Sequence, residues 1–367
     1  MSNAAVKFTV VVLFGGRSSE HSISCGTAAG VLGAIDRSKY DVIPVGITPD
    51  GQFVPAVDSV ERWALSDGPL PVVNDEGEQV EFALNGSREI YRIGANGERA
   101  LLGTADIVFP LLHGPFGEDG TMQGFLELAG IPYVGNGVFA SAAGIDKEFS
   151  KSLFLQAGVP ATPHVVIRTW DWAERRAEVL AEVAELGGLP LFVKPARAGS
   201  SVGVSKVKRM EDFAAAVETA FLHDTKLTVE HGLVGREVEC AVLSSTDGSP
   251  VRVSVAGEII LKGREFYDFE AKYRDESSVE LVIPADLTDA ELAEMQALAR
   301  RAFAAIGGFG LGRVDFFLTD DGFYLNEINT LPGFTQYSMY PMLWAASGLP
   351  YADLIDELIQ LGLTARR

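Results

Sequence analysis

Cysteine is scarce: only Cys25 and Cys240 occur in 367 residues. That excludes a disulfide framework and a cysteine-rich metal centre, and it predicts a reducing, cytoplasmic setting. Positive charge is also short, with 30 Lys and Arg against 50 Asp and Glu and a net charge of −20. The basic face that duplex nucleic acid requires is therefore missing, and a bound phosphate must rely on a few local cations. Residues 1–25 carry neither a basic n-region nor a signal-type apolar core, since the run Phe8–Phe14 has only strand length. The uncharged stretch Thr330–Ala352 is interrupted by Pro332, Pro341 and Pro350, which excludes a lipid-exposed helix and predicts no membrane span. No Gly-Lys dipeptide occurs, so a Walker-type phosphate loop is excluded as well. What remains is 47% apolar and 22% charged residues, an ordinary globular mix long enough for two or three domains.

The run FTVVVLF at 8–14 stops at Gly15-Gly16 and is followed by a Ser/Ala-rich helical stretch. Further strands at 41–47 and 105–112 predict an open α/β first domain over 1–135, with 50–103 as a hairpin-bearing insertion. Helical segments from 136 and short strands at 189–195, 203–207 and 227–231 predict a small α+β domain over 136–231. The last unit, 232–367, is also α+β: strands at 236–243 and 251–259, a helix at about 289–306, and a closing hairpin of 313–318 with 323–329. Thr288 and Glu291 have the spacing of a capping box for that helix, and Leu292, Met295, Leu298, Ala302, Phe303 and Ile306 form its apolar stripe.

The closing hairpin is the most informative segment. With Asp320-Asp321-Gly322 as a three-residue loop, Asp315 faces Glu327 and Arg313 faces Asn329. Opposed Cβ atoms lie about 4.5–5.5 Å apart and like charges there destabilise a sheet, so this pair calls for a cation. Mg2+, which takes hard oxygen ligands, suits it; a solvated strand face with Arg313 as counter-ion is the plainer alternative. In LFVKPARAGSSVGVSKV a strand ends on Lys194, and Gly199, Ser200, Ser201 and Gly203 can aim N–H and hydroxyl donors at a phosphate, unless the loop is a simple exposed turn. GGRSSEHSIS at 15–24 and HGPFGEDG at 113–120 place Glu20, His113 and Glu118 at the ends of first-domain strands. Gly135–Ala140 matches G-x-G-x-x-A, but no acidic residue follows about 20 positions on, which argues against a dinucleotide site. In YDFEAKY, 267–273, Lys272 and Tyr273 could close over a site as a mobile loop.

Taken in order, GGRSSEHSIS, HGPFGEDG, DKEFSK, KPARAGSSVG, YDFEAKY, GRVDFF and NEINTLPGF resemble the ATP-grasp carboxylate-amine ligases, most closely the D-alanine–D-alanine ligases. The resemblance implies three α/β domains with ATP clamped between the second and third. It implies Lys147 and Lys194 at the phosphates with Ser201 beside them, and Glu230, Leu233 and Glu237 around adenine and ribose. Asp315, Glu327 and Asn329 fall on its magnesium positions, for two ions that manganese can replace. Glu20 matches the residue holding the first D-alanine's ammonium, with Ser200 and Tyr273 beside it. Ser338 matches the residue near the second carboxylate, and His113, Lys272 and Met339 complete the substrate pocket. Arg313 and the Gly333 N–H match the oxyanion donors. The implied reaction is D-alanyl-D-alanine synthesis through an acyl phosphate by a homodimer. Two departures stand out: Glu230-His231-Gly232-Leu233, where the family often has Glu-Lys and two apolar residues, and the insertion at 50–103. A D-serine- or D-lactate-using sibling, a non-catalytic ATP-binding protein and a dinucleotide enzyme are the competing readings. Every phosphate, metal and oxyanion position named above is filled as a ligase requires.

Overall fold

The computed structural model describes residues 7–66, 68–262 and 279–365. The described residues up to 110 hold β1 (Phe8–Gly15), β2 (Tyr40–Ile47), β3 (Phe53–Pro55), β4 (Gln79–Phe82), β5 (Glu89–Ile93), β6 (Arg99–Thr104) and β7 (Ile107–Pro110). The first sheet has the order β3-β2-β1-β7, with β1 parallel to both neighbours. Its strands are apolar on both faces, as a sheet covered on both sides requires. Val10, Val12 and Phe14 enter one core with the helix His21–Ala34, while Val11 and Leu13 enter another with the helix Thr121–Ala129. The 50–103 segment contributes β3 to this sheet and folds the rest into an antiparallel sheet, β4-β5-β6. Chain order reverses on either side of β1, so the crevice between the ends of β1 and β7 is a topological switch point.

The second unit holds β8 (His164–Arg168), β9 (Leu191–Pro195), β10 (Ser205–Val207) and β11 (Lys226–His231) in the antiparallel order β10-β9-β11-β8. Its core draws only on residues between Val165 and Val229. The third unit holds β12 (Arg236–Leu243), β13 (Arg252–Leu261), β14 (Val279–Val282), β15 (Leu311–Thr319) and β16 (Gly322–Asn329) in the order β14-β13-β12-β15-β16. The helix Asp289–Ala305 lays Met295, Leu298, Ala302 and Phe303 on this sheet, and its capping box forms as read: Thr288 Oγ1 accepts from Glu291 N and Glu291 Oε2 from Thr288 N.

Two placements go beyond the sequence reading. The helices Val138–Ile145 and Lys147–Gln156 add Ala140, Ala143 and Phe154 to the core of the third unit, not the second. The last helix, Tyr351–Thr364, packs Leu354, Ile355 and Leu358 into the core of the first sheet, and Tyr40 donates to Asp356 at 2.6 Å. First and third units thus share a core, while the second stands on its own. Among the described residues no helix is long and apolar enough to cross a membrane.

Candidate active site

The hairpin β15–β16 builds the floor of the site. Asp315 faces Glu327 and Arg313 faces Asn329, as the sequence predicts. The route to that register differs from the prediction, because Thr319 pairs with Gly322 and the loop has two residues, Asp320 and Asp321, not three. A bulge at Asn326 supplies the missing residue between Leu325, opposite Phe316, and Glu327, opposite Asp315. On its other side Asp315 pairs with Glu239 of β12, so three carboxylates lie in a row across three strands. Glu239 escaped the sequence reading; only the alternation Glu237, Glu239, Ala241 along β12 hinted at it. Arg313 compensates this row: its guanidinium donates to both oxygens of Asp315 at 2.8 and 2.7 Å and lies 2.9 Å from Glu239. Burial works against its charge, but Asp315 and Glu239 outweigh burial and hold Arg313 protonated well above its ordinary range.

Asn329 Nδ2 donates to Asp315 Oδ2 at 2.9 Å. An amide turned the other way has the same shape and presents oxygen, and a carboxylate has about four lone-pair sites, so Asp315, Glu327 and Asn329 retain hard-oxygen capacity at neighbouring positions of the hairpin. That donor set suits Mg2+.

Cations face this floor from the helix Lys147–Gln156 and from the second unit. Lys147, at the start of its helix, donates to the Ala198 carbonyl at 2.9 Å and stands 3.6 Å from Glu327. Its helix is anchored by Asp146, whose carboxylate caps the N-terminus and accepts twice from Lys226 of β11 at 2.7 Å. Lys194 Nζ, at the end of β9, donates to Glu230 Oε2 at 2.7 Å. Glu230, placed beside adenine by the resemblance, is buried against Lys194 and Lys151; burial alone would raise its pKa, but the two lysines pull it down to about 2. Lys151 is a further side chain the sequence reading missed, although DKEFSK contains it.

The loop after β9 carries Ser200 and Ser201 in the left-handed region, at φ +47° and +58°, a local strain typical of ligand-holding loops. Ser200 Oγ donates to Glu20, which reaches in from the loop after β1. That loop needs its glycines: Gly15 has φ +92°, and a Cβ there would lie 2.3 Å from the Ile47 carbonyl. His113, buried at the end of β7, lies 3.2 Å from Thr27 Oγ1 and 3.7 Å from Glu118. Burial opposes its charge, yet Glu118 and Glu20 outweigh it and raise the imidazole pKa. Glu118, Lys147, Ala198, Gly199, Glu327 and Asn329 line one narrow crevice, drawn from all three units. A roomier apolar cavity of about 240 Å³ lies in the first unit, lined by Phe53, Phe116 and Phe125 among others, and it shares His113 with the site.

Ser338 occupies the N-cap position of the helix Met339–Ala346, and its hydroxyl lies 2.9 Å from Thr335 Oγ1 in place of a side-chain cap bond. A Cβ on Gly333 would lie 3.1 Å from Ser338 Oγ, so glycine lets the backbone come close. The Met339 side chain points away into the core, where its sulfur would sit 2.6 Å from a Cβ on Gly257. Leu233 and Glu237 are half-buried at the edge where β11 passes to β12. In the departing linker, a Cβ on Gly232 would lie 2.9 Å from Pro190. Asn136, from the weak dinucleotide fingerprint, is a structural staple: it donates to the Leu311 and Thr330 carbonyls and accepts from Phe309 N. Lys272 and Tyr273 lie outside the described residues.

Residues 9–136 match the family model described as D-ala D-ala ligase N-terminus, and residues 153–360 match that of the D-ala D-ala ligase C-terminus. The chain is 52% identical over 361 residues to the D-alanine–D-alanine ligase of Pseudarthrobacter chlorophenolicus, covering 97% of this chain and 94% of that one. With the D-alanine–D-alanine ligase of Streptomyces coelicolor it shares 49% over 364 residues, 96% and 92% of the two chains. Among solved structures, the D-alanine–D-alanine ligase from Coxiella burnetii superposes with a TM-score of 0.81 at 33% identity, over 98% of this chain and 94% of that chain. The VanG D-Ala:D-Ser ligase from Enterococcus faecalis superposes with a TM-score of 0.82 at 34% identity, over 98% and 100%.

Proposed function

The chain belongs to the D-alanine–D-alanine ligase family, and from that premise we propose how its own side chains carry out the ligation. The reaction is ATP-dependent, ADP-forming joining of two D-alanines for peptidoglycan synthesis. The observation that carries the reading is the convergence of Glu118, Lys147, Gly199, Glu327 and Asn329 from three units on one crevice.

Glu20, backed by the Ser200 hydroxyl, holds the ammonium of the first D-alanine, with His113 beneath it. That substrate's carboxylate attacks the γ-phosphorus; an acyl phosphate forms and ADP leaves. Lys147 and Lys194 offset charge on the phosphoryl group in flight, and the strained Ser200–Ser201 loop contributes N–H and hydroxyl donors. Asp315, Glu327 and Asn329 would hold Mg2+, whose contribution when bound is to neutralise phosphate charge. Ser338 receives the second D-alanine's carboxylate; that substrate's ammonium gives up a proton to solvent, and the free amine attacks the acyl carbon. Arg313 and the Gly333 N–H meet the oxyanion, and phosphate departs. Adenine and ribose lie by Glu230, Leu233 and Glu237. Lys272 and Tyr273 close over the substrates and exclude water from the acyl phosphate. A second magnesium ion, replacement by manganese, a homodimer and a cytoplasmic setting complete the reading; the motif match supports the first three, and two unpaired thiols support the last.

The test is an assay with ATP, Mg2+ and D-alanine that follows ADP, phosphate and dipeptide together. All three appear in equal amounts, and L-alanine gives none. ADP release that ignores D-alanine, or a product other than D-alanyl-D-alanine, overturns the reading.

A further inference from the structure

Lys151, on the inner face of the helix Lys147–Gln156, has no part in the reaction as derived, yet none of its surface is exposed. Its Nζ lies 3.3 Å from Glu230 Oε1 and donates to the Asn326 carbonyl at 3.1 Å. The other oxygen of Glu230 accepts from Lys194 at 2.7 Å, and Lys194 lies 3.4 Å from Asn326 Oδ1. One carboxylate thus serves two lysines, and both reach the residue that forms the bulge of β16. The bulge matters here, because an extra residue is released from ladder pairing and can offer its carbonyl elsewhere.

A fully buried ammonium is strongly unfavourable unless it is paired, and an apolar side chain of similar length would fill the space at less cost. Helix packing therefore does not account for Lys151. Lys194, by contrast, has two claims on it: Glu230, and the ATP phosphates assigned to it above. With Lys194 as its sole partner, Glu230 would become a buried, uncompensated anion whenever that lysine turned to phosphate, and it would hold the lysine back. We propose that Lys151 is a positioning residue that gives Glu230 a permanent counter-ion, freeing Lys194 to move between Glu230 and the phosphates of ATP. Burial draws the Lys151 pKa down, Glu230 opposes that fall, and Lys194 and Lys147 add to it. The inference rests on Lys194 as a phosphate lysine, and the test separates the two.

Steady-state KM for ATP and for D-alanine, with Tm, would be measured for Lys194→Met, Lys151→Met, Lys151→Arg, Glu230→Gln and the Lys151→Met/Glu230→Gln pair. Lys151→Met should raise the ATP KM about tenfold and leave the D-alanine KM within about twofold; Lys151→Arg should recover most of the loss. In the Glu230→Gln background the same change should add less than about twofold, because the lysine acts through the carboxylate. An unchanged ATP KM in Lys151→Met, beside a raised one in Lys194→Met, overturns the inference. So does an equal penalty in both backgrounds, which would mark Lys151 as a plain structural cation. If Lys194→Met leaves the ATP KM untouched, the phosphate assignment fails first. Should Lys151→Met not fold, the paired variant against Glu230→Gln decides, a further rise in ATP KM overturning the proposal.

Discussion

Lys147 bonds the Ala198 carbonyl and stands 3.6 Å from Glu327, so it ties the loop after β9 to the floor of the third unit. Removing its charge should weaken nucleotide binding more than D-alanine binding: Lys147→Met is expected to raise the ATP KM about tenfold, read from saturation curves in each substrate. A change confined to the D-alanine KM contradicts that role. Glu230 makes a second residue-scale prediction. Its pKa falls from 4.5 to about 2 in the fold, so its stabilising contribution is complete above pH 4.5 and is lost as pH falls toward 2. Glu230→Gln should therefore lower Tm at pH 7, and the gap to the natural chain should narrow as pH drops below 4.5. A gap that stays constant would show that the carboxylate charge is not what stabilises. At this scale the residues named from motifs were legible because their chemistry is unusual for their surroundings. Glu239 and Lys151 were not, since each looks like an ordinary strand or helix residue until a partner distant in sequence faces it.

At the scale of elements, the capping box and the apolar stripe of the helix Asp289–Ala305 were legible because both are local patterns. Thr288→Ala removes one hydroxyl cap and should cost about 1 kcal/mol, a fall in Tm of about 2 °C, without altering KM. A larger loss with altered kinetics would mean that the helix couples to the site. The closing hairpin shows where local reading stops. Facing of Asp315 and Glu327 was inferred correctly, but from a three-residue loop, whereas the chain uses a two-residue loop and a bulge at Asn326. A bulge has no sequence signature of its own here: it shifts pairing by one residue and keeps Leu325 and Ile328 in the core with Glu327 toward the cleft. Lysines on other elements engage the displaced residue, and no pattern within the hairpin could reveal them.

Across the whole molecule, the core of the second unit is separate, whereas the first and third units share one. ATP would be held between the body that stands alone and the joined pair, so its binding energy should appear as global stability. At a concentration about 100 times Kd the gain is about 2.7 kcal/mol. ATP with Mg2+ should thus raise Tm by several degrees while NAD does not, and equal shifts would revive the dinucleotide reading. Domain membership was the least legible feature, because the helices Val138–Ile145 and Tyr351–Thr364 pack on sheets distant from them in the chain. The central claim is that this arrangement exists to set the carboxylates of Asp315 and Glu327 against the phosphates through a metal ion. Its most direct test is the turnover and Tm of the Asp315→Asn/Glu327→Gln pair. Dipeptide synthesis should disappear while the chain still folds, at a lower Tm, because Arg313 and Lys147 lose the carboxylate charges that face them. Undiminished synthesis in that variant would contradict the account.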